Sequence, residues 1–140
     1  MLEEHGIGLA VVRIMIGLLF VAHGLDILTA GMARTVAFFE AYKVPMHKVT
    51  APLAGVLQVA GGLAMVLGLG AQIGAWALAA LMVGAIWYVH GRCGFPNINI
   101  VGQADDGSPQ FGMPGFEFNY ALIAGLLAVA IGGPGRWAIT

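Results

Sequence analysis

Seven side chains in this 140-residue sequence carry the groups from which a site could be built: His23, Asp26, Glu40, Gln58, His90, Glu117 and Asn119. Histidine beside a carboxylate supplies hydrogen-bond donors and a group that titrates near neutrality. That pairing suits a quinone head group, whose carbonyls accept hydrogen bonds and whose reduction moves protons. The same residues support two other readings. They could form a hydrogen-bonded network that pins helix ends together, or they could hold zinc or iron through the histidines and acids. His23 and His90 lack tight ligand spacing, so no metal site is expected, and no residue is assigned a catalytic role.

The elements that must position these groups are apolar. Hydrophobic residues make up 59% of the chain and charged residues 9%, against about 25% charged in an average soluble domain. Mean hydropathy is +0.88, and lipid is the expected solvent. A spanning helix needs about 20 mostly apolar residues. Four stretches qualify, roughly 7–28, 51–70, 72–90 and 116–132, giving one all-α, four-transmembrane-helix domain over 1–140. Gly68, Gly70 and Gly74 break the second from the third, which predicts a tight hairpin. Glu3, Glu4 and Arg13 do not suit a cleaved signal peptide, so the first span is read as retained.

An even number of crossings puts both long loops on one side and both termini on the other. His23 and Asp26 leave the first span on the long-loop side and share a helix face, being three apart. Gln58 enters the second span from that side, His90 ends the third, and Glu117 and Asn119 open the fourth. Glu40 lies in the loop above. Ionisable groups at membrane depth cost about 2.5–3.5 kcal/mol each on insertion scales, so they persist where they pair, line a cavity or do chemistry.

The loops carry their own signals. From Met32 to Tyr42, apolar Met32, Val36, Phe38 and Phe39 oppose Arg34, Glu40 and Lys43, which predicts a short amphipathic helix in the first loop. Thr50 and Pro52 mark the start of the second span. The second loop, 91–115, is rich in proline and glycine; Asp105-Asp106-Gly107 reads as a turn and Asn97–Val101 as a short extended piece. A loop of this length is a lid or a surface connector.

Small residues recur every four positions at Ala60/Ala64/Gly68, Ala71/Ala75/Ala79 and Ala124/Ala128/Gly132, and are read as helix–helix seams. Arg13 and Arg136 are expected to snorkel to headgroups on the terminal side. The lone Cys93 excludes an internal disulfide and is read as packing rather than a redox thiol. Lys and Arg on the long-loop side (Arg34, Lys43, Lys48, Arg92) outnumber Arg13 and Arg136, which points that side to the cytoplasm. A net charge of −1 gives no basis for nucleic-acid binding.

The order and spacing of several motifs resemble the DoxX family. They are Arg13-x3-Gly17-Leu18-Leu19-Phe20-x2-His23-Gly24, Phe38-Phe39-Glu40 with Pro45, Gly61-Gly62, His90, Gly115-Phe116-Glu117-Phe118 and Gly133-Pro134-Gly135-Arg136. The resemblance implies a four-helix bundle in a bacterial or archaeal cytoplasmic membrane and a link to quinone-coupled oxidoreduction. Members include a subunit of thiosulfate:quinone oxidoreductase and a mycobacterial component of a thiol-stress complex. Members usually carry lysine where this chain has Asp26 and glutamate where it has Gln58, so a shared mechanism does not transfer directly. Two functions are therefore expected to compete. One is a membrane subunit of a quinone-linked oxidoreductase or electron-transfer complex, not catalytic alone. The other is a non-catalytic anchor or assembly subunit. The chain has no cofactor motif of its own, and its bound molecule would be a quinone or a lipid. Partners would be lipids and other membrane or membrane-associated subunits, or further copies of the chain.

Overall fold

A computed structural model describes residues 2–139. The chain forms α1 (Leu2–Leu28), α2 (Met32–Ala41), α3 (His47–Leu67), α4 (Ala71–Tyr88), a 3₁₀ turn (His90–Cys93), β1 (Ile100–Gln103), β2 (Pro109–Phe111) and α5 (Glu117–Gly132). Three helical segments are long and apolar enough to cross a bilayer: Glu4–Leu28, His47–Leu67 and Ala71–Tyr88. α5 is apolar but shorter, with 16 residues. At 1.5 Å per residue it is about 24 Å long, less than the roughly 30 Å hydrocarbon core.

The four long helices close a ring. α1 packs on α3 and α5, and α4 packs on the same two. Neighbours run antiparallel, since the ends of α1 and the start of α3 meet at Gly24 and Gly55, while Arg13 meets the end of α3. Phe20, Met65, Leu78, Leu126 and Val129 fill the centre and are almost wholly buried.

Two glycine pairs set the tightest seam. A methyl on Gly17 would come within 2.8 Å of the Gly62 carbonyl oxygen, and one on Gly24 within 2.8 Å of that of Gly55. Each pair is seven residues apart along its helix, two turns, so α1 and α3 touch backbone to backbone. This corrects the expected seams. Ala71, Ala75 and Ala79 are buried, but Ala60, Ala124 and Ala128 face outward. The buried stripe of α5 is Leu122, Leu126, Val129 and Ala130. On α5 the larger side chains Leu122, Leu126 and Val129 turn inward, and Ala124 and Ala128 are left on the surface.

The turn between α3 and α4 is as short as expected. Gly68 and Gly70 adopt left-handed φ of 76° and 64°, where a side chain would be strained. α3 begins at His47, several residues before the expected start, and Pro52 lies inside it. The loop after the 3₁₀ turn holds a two-stranded hairpin with Ile100 opposite Phe111 and Gln103 opposite Pro109. Gly107 N–H donates to the Ala104 carbonyl at 2.9 Å, closing the turn at Asp105-Asp106-Gly107. The Ser108 hydroxyl and backbone N–H both donate to Asp106, which lowers its carboxyl pKa.

Arg13 corrects another expectation. It does not snorkel: its side chain is fully buried. Nε donates to Pro134 O at 2.7 Å, Nη1 to Met65 O and to Val66 O (2.7 Å), and Nη2 to Arg136 O at 3.0 Å. Carbonyls of the last turn of a helix lack intrahelical partners and carry partial negative charge. The guanidinium satisfies them at the end of α3 and ties down the tail after α5. That tail is also held by Arg136 N–H on Gly6 O (2.9 Å) and Ile139 N–H on Leu67 O (3.1 Å).

Candidate functional site

The long-loop end of the ring is open where the terminal end is closed. α5 starts short: Asn119 Nδ2 meets Met82 Sδ at 3.5 Å, well before the end of α4. α5 begins only two residues before Asn119, so the last four residues of α4, about 6 Å of helix, have no α5 beside them. Irregular backbone fills that level instead, with Pro114 O accepting a hydrogen bond from His90 Nδ1 at 2.8 Å. Non-helical backbone at membrane depth is tolerated where it lines a cavity.

A cavity of about 710 Å³ occupies this end, bounded by α1, α2, α3, α4, the start of α5 and residues 113–115. Its wall is mainly apolar, from Phe20, Phe38, Leu57, Leu81, Tyr88 and Leu122 among others. Five of the seven residues singled out in the sequence line it: His23, Asp26, Gln58, His90 and Asn119. His23 Nδ1 lies 2.8 Å from Gln58 Oε1, joining α1 to α3 across the seam. Gln58 and Asn119 are buried, whereas His23 and Asp26 are exposed.

The other two stand outside. Glu40 projects from the exposed side of α2 beside His47 and Lys48, around a separate open depression. Glu117 accepts the Asn97 N–H at 2.8 Å and ties the loop to the start of α5. Topology brought both to the right end, but not to the cavity.

α2 roofs the cavity and is pinned at both ends. Near its start, Arg34 Nη2 pairs with Asp26 Oδ2 at 2.7 Å. Beyond its end, the Tyr42 hydroxyl sits beside Cys93; burial first, and then the neighbouring thiol, raise the phenol pKa. Phe38 packs tilted against Tyr42, ring centres 4.8 Å apart, and lines the cavity. The roof aromatics were visible in the sequence as the apolar face of a short helix. Tyr88 carried no signal, since nothing in a uniformly apolar α4 marks which turn borders a void.

Both histidines use Nδ1 for structure. A carbonyl cannot donate, so His90 Nδ1 carries the hydrogen it gives to Pro114 O, and in the neutral ring Nε2 is a bare acceptor. Asn119 spends one amide N–H on Met82, which leaves its second N–H as a donor and its carbonyl oxygen as an acceptor. Among the described residues no three His, Cys, Asp or Glu side chains converge as metal ligands. The arrangement can hold an amphiphile of several hundred Å³ with its polar end against the histidines.

Residues 8–91 match the family model described as DoxX. The match covers α1 to α4 with His23, Asp26, Gln58 and His90, and stops before α5. No curated protein and no solved structure matches the chain. With more than half its length matched, and with helices long and apolar enough to span a bilayer, this multi-pass membrane protein belongs to the DoxX family.

Proposed function

We propose that the chain is a membrane subunit of a quinone-linked oxidoreductase or electron-transfer assembly, and that its cavity takes the quinone ring. One observation carries this reading: a mainly apolar cavity of about 710 Å³ at the long-loop end has two histidines, a glutamine and an asparagine in its lining. Its size lies within the range of ligand sites. A quinone supplies the two-electron redox chemistry; the protein's part is to bind and orient it, exclude water and exchange hydrogen bonds at its oxygens. α5 acts as the fourth crossing, since it packs antiparallel on α4 and α1 through the apolar interior. The test is gentle detergent extraction followed by analysis of bound small molecules. Quinone should be retained by the native chain and lost in His23→Ala and His90→Ala variants of unchanged helix content. Retention unchanged in both variants would overturn the reading.

A second reading, an anchor or assembly subunit, has its own support. Ala60, Ala124 and Ala128 turn small side chains outward from α3 and α5. Small residues on a lipid-facing surface let another helix approach closely. Ala124→Leu should then reduce co-purification of membrane partners or copies while the cavity residues stay in place.

A further inference from the structure

The hairpin after the 3₁₀ turn leaves apolar side chains uncovered. Ile100, Val101 and Phe111 are each at least 60% exposed. Ile100 pairs with Phe111 and the register then skips Val101, so both strand residues oppose the one aromatic ring. A two-stranded hairpin is marginal on its own in water, and a contiguous exposed apolar cluster marks a contact surface.

Level, polarity and reach together say what covers it. Phe116 N–H donates to Gly94 O at 3.0 Å and Glu117 N–H to Phe95 O at 2.9 Å, which ties the base of the hairpin to the start of α5. Exposed Trp87, in the last turn of α4, and exposed Tyr120, in the first turn of α5, stand at that end. Such aromatics collect at the boundary between membrane and water. Polarity changes along the hairpin. Between Gly94 and Phe116 the only charged side chains are Asp105 and Asp106, at the turn, whereas the apolar cluster lies at the base. From Ile100 to Gln103 the strand rises about 10 Å, against a headgroup layer of roughly 5–8 Å per leaflet. The cluster can therefore sit in that layer while the two acids clear it.

We propose that the base of this hairpin is a membrane-interface anchor, in which Ile100, Val101 and Phe111 insert among lipid headgroups and upper acyl chains on the long-loop side while the Asp105–Asp106 turn stays in water. Lipid is the covering partner because a multi-pass chain already meets it at this level, and the cluster brings no charge to oppose it. The inference is independent of the ligand reading. It bears on the cavity nonetheless: Asn97 and residues 113–115, on the two flanks of the hairpin, line that cavity, so the anchored base holds its rim at the level of the lipid.

The test is photo-cross-linking of the full chain in cell membranes. The photoreactive residue benzoylphenylalanine is placed at Phe111, with Val101 as the second site should that variant not accumulate. Val83, exposed on α4, serves as the lipid control and exposed Asp106 as the water control. Intact mass after irradiation identifies the adduct. Phospholipid adducts at Phe111 should match those at Val83 within a factor of about two and exceed those at Asp106 about tenfold. Adducts mainly with another polypeptide would make the cluster a protein-docking surface and overturn the inference. A yield no higher than at Asp106, with Val83 still cross-linked to lipid, places the hairpin in water and overturns it as well.

Discussion

Replacing Arg13 by lysine should free the tail while leaving the ring of helices in place. The guanidinium reaches four carbonyls, on Met65, Val66, Pro134 and Arg136, from one buried position. A lysine keeps the charge but gathers its three donors on one nitrogen, and cannot span acceptors on both α3 and the tail. Losing two charge-assisted bonds at about 1.5–3 kcal/mol each, with partial recovery through water at the helix end, leaves a deficit of roughly 3 kcal/mol. That corresponds to about a hundredfold rise in the open fraction of the tail. An arginine-specific protease reads this directly. Arg136 is exposed as a side chain, but its backbone N–H is held by Gly6 and its carbonyl by Arg13. When opening is fast relative to cleavage, the rate follows the open population. Cleavage after Arg136, seen by intact mass as loss of residues 137–140, should rise by about two orders of magnitude relative to cleavage after Arg92. An unchanged ratio in Arg13→Lys would refute the claim that this side chain fastens the tail.

Three further outcomes follow from the same geometry. Gly62→Ala sets a methyl 2.7 Å from the Gly17 carbonyl oxygen and should destabilise the fold by about 1–3 kcal/mol in detergent unfolding; Gly8→Ala, with nothing within 4 Å, should be neutral or stabilising by up to about 1 kcal/mol. Asp26→Asn should change global stability by less than about 1 kcal/mol, because the ion pair with Arg34 is exposed, yet amide exchange should quicken across α2 and not across α3. Tyr42 has a raised phenol pKa in the folded chain. Its neutral form is therefore favoured by folding, so its contribution is intact below the unfolded value near 10 and is lost as pH climbs through the higher folded value. A phenolate absorbance step that is delayed in the native chain and absent in Tyr42→Phe would verify this.

Parity was the strongest information in the sequence. The even alternation of apolar segments and loops was enough to bring His23, Gln58, His90 and Asn119 to one end. It could not say which side chains at that end face inward. Glu40 and Glu117 sit at the same level but on outer surfaces, and only packing decides that. The seam between α1 and α3 was legible in the seven-residue spacing of Gly17/Gly24 and Gly55/Gly62, yet the more frequent alanine stripes masked it. Arg13, well inside α1, departs from snorkelling, the ordinary fate of a cation in a membrane span. Its true partners are backbone carbonyls, which leave no trace in residue types. The cavity depends on α5 starting about one turn short of the end of α4, a matter of where a helix begins, the least legible quantity in any sequence.

The fastening of Arg13 also constrains how the protein is made. This cation sits in α1, while its partners Pro134 and Arg136 follow it by 121 and 123 residues. Until they are synthesised, α1 carries a partly unanswered charge, and the antiparallel hairpin with α3 is all that shelters it. A ribosome stalled before the tail would leave an intermediate with that defect open to membrane quality control, so synthesis of residues 134–136 and full burial of the charge become a single event.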